Sequence, residues 1–102
     1  MTKKERNKKD KEVFAEVRSL GECERCGSTM NLQCAHFFSR SYLKLRWDKR
    51  NLICMCSGCH LWGHKNPALF VEWFIEYRGV KNYEEIMEVK GNPTKYIWEI
   101  KK

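Results

Sequence analysis

Apolar residues Val13, Phe14, Val17 and Leu20 recur at the spacing of one helical face, which predicts a helix over residues 3 to about 20 that Gly21 ends. Its first ten residues are too charged to pack and read as a solvated end that frays, with phosphate contact as the alternative. Downstream the period shortens. Residues 31–38 and 51–56 are short and apolar-rich, suited to two half-buried strands, and pairing them makes a hairpin whose long connection, residues 39–50, is of functional length. A helix follows from Ser57. Asn66 and Pro67 give the cap-plus-proline start of the next, which runs through Tyr77 and closes at Gly79. With Leu69, Phe70, Val71, Trp73, Phe74, Ile75 and Tyr77 it is apolar nearly all round, as a core helix is. Asn82-Tyr83-Glu84-Glu85 has the form of a capping box for a short helix to about Lys90, stopped at Gly91. Asn92-Pro93 then opens a last helix bearing Tyr96, Ile97 and Ile100. Trp47, Trp62, Trp73 and Trp98 read as packing residues, with Trp47, inside the hairpin connection, the best placed for another role.

One hairpin flanked by helices makes the fold class α+β, and 102 residues leave room for a single domain. It divides into an N-terminal helix (1–20), a core (21–65) and C-terminal helices (66–102). So short a chain buries a modest fraction of its surface, so a staple beyond the apolar core is expected, and six cysteines are the candidates. There is no apolar run long enough to cross a bilayer and no signal-peptide pattern. The expected compartment is a reducing cytoplasm, where Cys-x2-Cys pairs favour metal over disulfide. The net charge of +7 is unevenly spread: residues 66–102 carry six Lys/Arg against six Glu. Residues 36–65 carry Arg40, Lys44, Arg46, Lys49, Arg50 and Lys65 against Asp48 alone. Charge concentrated this way points to a polyanionic partner, most simply nucleic acid, with those six residues as candidate phosphate contacts. Asp48 reads as ordering the connection before Asn51.

Cys23-Glu24-Arg25-Cys26-Gly27-Ser28 has the form of a zinc knuckle, with Gly27 supplying the backbone freedom that turns amides toward the sulfurs. Cys56-Ser57-Gly58-Cys59 repeats the spacing after 29 intervening residues, and four thiolates in two such pairs match one tetrahedral structural zinc. Cys34 and Cys54 are left over, either as small buried apolar residues or as ligands of a second metal. All three histidines fall in the same segment. His36 lies on the first strand, and His60 and His64 sit four residues apart on the following helix, a recurrent metal chelate. A neutral imidazole and a divalent ion together suit phosphodiester hydrolysis, one activating water and the other stabilising charge on phosphate.

The order His36, Asn51, His60, His64 inside the frame of Cys23, Cys26, Cys56 and Cys59 resembles the HNH nucleases, the zinc-bound ββα-metal or His-Me finger type. The spacing of fifteen, nine and four is similar to that of the colicin-type nucleases, which lack the cysteines. Cys34-Ala35-His36-Phe37-Phe38-Ser39-Arg40 and Leu45-Arg46-Trp47-Asp48-Lys49-Arg50-Asn51 resemble small phage-encoded members, including NinG-like recombination proteins. The resemblance covers residues 23–65. It implies a ββα-metal core, His36 as general base, Asn51 as the tether that orients it, and His60 and His64 as ligands of a catalytic divalent metal. It also implies DNA as partner, products bearing a 5′-phosphate and a 3′-hydroxyl, and the cytoplasm of a bacterial host if the chain is phage-encoded. Arg40, four residues past the base, is invited to grip the scissile phosphate. The residue before the base is often Asp or His and a further ligand, yet here it is Ala35. Two imidazoles completed by water and phosphate oxygens suit Mn²⁺, Ni²⁺, Co²⁺ or Zn²⁺ better than Mg²⁺.

The expectation is therefore a zinc-stapled ββα hairpin-helix core with flanking helices, holding one structural Zn²⁺ and one catalytic metal. It would nick duplex or branched DNA with little sequence specificity, away from membranes, as a monomer or weak homodimer. A zinc-bound DNA-binding module without catalysis is the rival, and Ala35 is its best argument. A third reading places all six cysteines and the histidines on two structural zincs.

Overall fold

Thr2 accepts a hydrogen bond from the Glu5 amide and so starts α1, Lys3–Arg18, in the computed structural model, which describes residues 2–91. The helix opened by Asn92-Pro93, with Trp98, lies outside these residues. The charged start of α1 is helical from Lys3 and solvated as far as Lys9, and the departure from expectation is at Asp10. Asp10 shares the face of Val13, Phe14 and Val17 and is buried, because side chains of residues 39–50 reach across to it. The exception on that stripe is Leu20, 58% exposed, since the helix has ended and the chain turns away at Gly21 with φ +84°.

The two predicted strands pair as an antiparallel hairpin, β1 (Leu32–His36) and β2 (Leu52–Cys56), with Ala35 opposite Ile53 and Cys34 opposite Cys54. The Phe37 amide donates to the Asn51 carbonyl and the Ser57 amide to the Asn31 carbonyl, extending the ladder past both ends. That phase makes His36/Leu52 and Cys34/Cys54 the non-hydrogen-bonded pairs, on one face, and puts Ala35, Ile53 and Met55 on the other. α1 covers the first face, where Phe14 meets the His36 ring edge-on at 5.0 Å.

The second face carries the main core, built from α2 (Ser57–Lys65), α3 (Pro67–Arg78) and α4 (Val80–Val89). Phe74 and Ile86 close over Ala35, Ile53 and Met55, joined by Leu45 from the hairpin connection and by Cys23 and Cys59. Phe37 stacks on Phe74 at 4.1 Å. α3 comes close to α2 at Gly63, where an added Cβ would lie 3.1 Å from the Phe70 ring. The outer edge of β2 is also satisfied: the Glu24 amide and carboxylate bond the carbonyl and amide of Cys54, and Arg78 donates to the Leu52 carbonyl. Among the described residues no strand lies beside the outer edge of β1.

Three local expectations change. α3 is a one-sided helix: Phe74 is its fully buried residue, whereas Leu69 is 51% exposed and Val71 and Tyr77 are exposed too. Asn66 does not cap α3 with its side chain; its amide donates to the Trp62 carbonyl and closes α2 instead. Asn82 is not a cap either. α4 already starts at Val80 after Gly79, at φ +91°, breaks the chain direction, and the Asn82 amide donates to the Arg50 carbonyl. Among the described residues no helix is long and apolar enough to cross a membrane.

Candidate metal centre and histidine cleft

The first knuckle is held by its own backbone, with the Cys23 amide donating to the Ser28 carbonyl and the Gly27 amide to the Cys23 carbonyl. Gly27 takes φ +80°, the left-handed conformation that favours glycine. The second pair straddles the β2–α2 junction, where Cys56 caps α2 and its Sγ accepts the Cys59 amide at 3.4 Å. The ligand atoms of Cys23, Cys26, Cys56 and Cys59 lie within 4.8 Å of one another, an all-sulfur set that can hold a structural zinc. Burial works against charge on Cys23, but the amides of Cys56, Cys26 and Arg25 outweigh it and bring its thiol down to about 6. Burial pushes Cys59 up to about 12 against the pull of Arg25. Arg25 donates to Cys59 Sγ at 3.3 Å with its guanidinium 3.5 Å over the Trp62 ring, a cation placed against the negative charge a tetrathiolate carries. Cys34 and Cys54 face each other across the ladder, outside this cluster, and burial raises both thiols, Cys34 to about 12.

The free edge of β1 is wrapped by a cleft of about 730 Å³. It brings His36, His60 and His64 together with Arg18 and Arg40, from α1 on one side and α2 on the other. His36 Nε2 lies 3.0 Å from the Arg46 carbonyl. A carbonyl oxygen only accepts, so Nε2 carries the proton and Nδ1 keeps its lone pair. Burial lowers the His36 pKa below 6.5; Arg40 and Arg46 add to this, while the Arg46 carbonyl and Asp10 oppose it. The His60 and His64 rings stand 4.8 Å apart between centroids, and burial, followed by His64, lowers the His60 pKa. Gln33 Oε1 accepts from His60 Nδ1 at 2.6 Å, which leaves His60 Nε2 unprotonated. His60 and His64 thus present two neighbouring imidazoles that could contribute to holding a divalent ion. Ala35, 1% exposed, contributes a methyl group to the same wall.

Asn51 is fully buried and fixes the hairpin connection at two places. Its Oδ1 accepts from the Phe38 amide at 2.7 Å, and its Nδ2 donates to the carbonyls of Phe38 and Leu45 at 3.0 and 3.1 Å. The stretch that carries the Arg46 carbonyl is thereby pinned next to His36. Asp48 accepts the Arg50 amide and caps the 3₁₀ turn Lys49–Asn51, ordering the approach to Asn51 as expected.

The six candidate phosphate contacts separate into two groups. Arg46 is 13% exposed at its side chain and bonds both Asp10 oxygens, at 2.8 and 2.5 Å. Arg50 forks onto Asp48 and reaches Glu85, and Lys49 pairs with Glu16. Arg40, Lys44 and Lys65 are open to solvent, as is Lys49 despite its pair, Arg40 lying 3.9 Å from Asp10.

Asp10, Gln33, Arg18 and Arg25 belong to the site and were not expected in it. Asp10 left a trace, since it continues the stripe of Val13, Phe14 and Val17 back by one turn. Trp47 also reaches Asp10, with Nε1 donating to its carboxylate at 2.8 Å and Lys9 over its ring. Comparison with protein-family models, with curated proteins and with solved structures yields no match.

Proposed function

We propose that this chain is a metal-dependent HNH-type endonuclease that hydrolyses DNA phosphodiester bonds. The observation that carries the reading is the convergence of His36, His60 and His64 on one arginine-bearing cleft from two different elements. A helical histidine pair and a strand histidine with unrelated packing roles have no reason to share a wall. His36 Nδ1 takes a proton from water as that water attacks phosphorus, and the bond to the Arg46 carbonyl fixes the ring plane while it does so. Asn51 is a positioning residue: it holds the segment that supplies this carbonyl. His60 and His64 are the residues that would hold a divalent ion, which supplies charge stabilisation at the phosphate and the leaving 3′-oxygen. Arg40 lies where a phosphate oxygen enters the cleft. The products are a 5′-phosphate and a 3′-hydroxyl.

Ala35 favours a second reading, a zinc-bound DNA-binding module without catalysis, because a methyl group stands where a third protein ligand would strengthen the metal site. Plasmid nicking separates the two. The zinc-loaded protein is expected to relax supercoiled DNA with Mn²⁺, and less well with Mg²⁺, and His36→Ala to lose about 10²- to 10⁴-fold in rate while still binding DNA. Binding by the wild type with no metal-dependent nicking would end the nuclease reading and leave the module.

A further inference from the structure

We infer that one flank of α1 is a track for the DNA backbone that continues the cleft outward from His36, an inference that rests on the reading of the cleft as a DNA site. Four of the seven cations of α1 gather on one flank, while Lys3, Arg6 and Lys9 lie elsewhere around the helix. Lys4, Lys8, Lys11 and Arg18 follow one another by four, three and seven residues and so share one side of the helix. Glu5, Glu12 and Glu16, spaced by seven and four, share the other. Packing fixes which side faces where. Phe14 and Arg18 line the cleft, so the basic side is the cleft side. On the opposite side Glu16 pairs with Lys49 and Lys9 lies over Trp47.

The inner face holds Asp10, whose bonds to Arg46 and Trp47 fasten the helix to the segment that also positions His36. The basic side is therefore rigidly oriented relative to the proposed base. Lys4, Lys8 and Lys11 are exposed and none pairs with an acidic side chain among the described residues, and the exposed Arg40 lines the cleft within 3.9 Å of Asp10 on the same helix. From Lys4 to Arg18 the helix covers about 21 Å at about 1.5 Å per residue. That length lets the flank reach several successive phosphates of a strand. A membrane surface does not fit, since the apolar face that would enter it is turned onto the sheet through Val13, Phe14 and Val17.

The charge also moves from where composition placed it. Arg46 is taken up by Asp10 and Arg50 is partly held by Asp48, and α1 adds exposed cations beside Arg40 and Lys49.

The test is the salt dependence of binding to a short labelled duplex, followed by fluorescence anisotropy on zinc-loaded protein without added divalent metal. Each of Lys4→Gln, Lys8→Gln and Lys11→Gln is expected to reduce the slope of log K against log salt by about 0.9, and the triple variant by up to about 2.7. Lys81→Gln on α4, outside the cleft, is expected to leave it unchanged. Zinc content and circular dichroism check that the variants fold. A wild-type slope in the triple variant, or an equal fall in Lys81→Gln, overturns the track and leaves the nuclease reading to be judged by nicking. Wild-type protein without salt-dependent DNA binding overturns both.

Discussion

At His36 the direction of the pKa shift fixes a pH dependence. Its Nε2 is held on the Arg46 carbonyl, Phe14 closes one side of the ring, and burial is the largest influence lowering its pKa from 6.5. Arg40 and Arg46 work in the same sense, against the Arg46 carbonyl and Asp10. A lowered value means that the imidazole stays neutral, and so able to accept a proton, to a pH below 6.5. The acid limb of kcat/KM for Mn²⁺-dependent nicking is therefore expected below pH 6.5, the ordinary histidine value. The same sign applies to stability: the contribution from the neutral ring is complete above 6.5 and is lost as pH falls toward the folded value, because the unfolded chain binds the proton first. A pH–rate profile measured with His36 intact and with Arg40→Gln checks both cause and sign. Removing the Arg40 charge should move the limb up, and a wild-type limb at or above 6.5 counts against His36 as the proposed base.

At the scale of elements, the joint between α1 and the hairpin connection is the interaction with most at stake. Asp10 receives both nitrogens of the Arg46 fork and the Trp47 indole, and its pKa is lowered, chiefly by the Arg46 hydrogen bonds against the effect of burial. Asp10→Ala is expected to destabilise by roughly 3 kcal/mol, since it strands a buried guanidinium and an indole N–H together. Asp10→Asn, which still offers one acceptor, should lose less; urea unfolding monitored by tryptophan fluorescence measures the difference. The wild-type contribution is present above the unfolded carboxylate pKa and disappears only as pH falls through the lowered folded value. An Asp10→Ala variant within about 0.5 kcal/mol of wild type would show that the joint is decorative. None of this was legible at Asp10 itself, because its partners lie 36 and 37 positions away and nothing local to the helix announces them. What local chemistry does determine came through: the 3.6 period of α1, the Pro67 start of α3, the apolar strands and the helix carrying His60 and His64. What depends on a neighbour did not. Asn66-Pro67 marks a real boundary, but the amide serves the helix behind it; Asn82 looks like a cap, yet the preceding Gly79 restarts the chain two residues sooner. α3 reads as apolar all round, but the elements of the described residues cover one side of it.

For the whole molecule, the four-cysteine cluster ties the segment after α1 to the junction of β2 and α2, and so joins the chain that follows one wall of the cleft to the start of the helix that forms the other. Two of those cysteines, Cys23 and Cys59, are also members of the main core beside Leu45, Phe74 and Ile86, so a metal held by the cluster would share residues with the core packing. This was the most legible part of the site, because paired Cys-x2-Cys spacing is a local pattern whose chemistry demands convergence wherever the chain takes it. The exclusion of Cys34 and Cys54 depends instead on the ladder register, which sets them opposite each other and apart from the cluster. The chain should therefore retain about one zinc per molecule on exhaustive dialysis, and about two would require the remaining thiols or the histidines as a second structural set. Structural zinc contributes about 10–16 kcal/mol to folding in small domains, comparable to or larger than the whole stability of a typical domain, about 5–15 kcal/mol. Stripping the metal with a strong chelator under reducing conditions is thus expected to abolish the cooperative thermal transition, and restoring zinc to bring it back. Cys26→Ser, at the exposed corner of the cluster, should lower zinc affinity while opening little cavity in the core. Because bound thiolates must first lose their protons, zinc retention should fall as pH decreases in a chelator competition series. A metal-free chain that melts as the zinc-loaded one does would mean that Phe74, Ile86 and their neighbours hold the fold unaided, and that the sulfur cluster is not its staple.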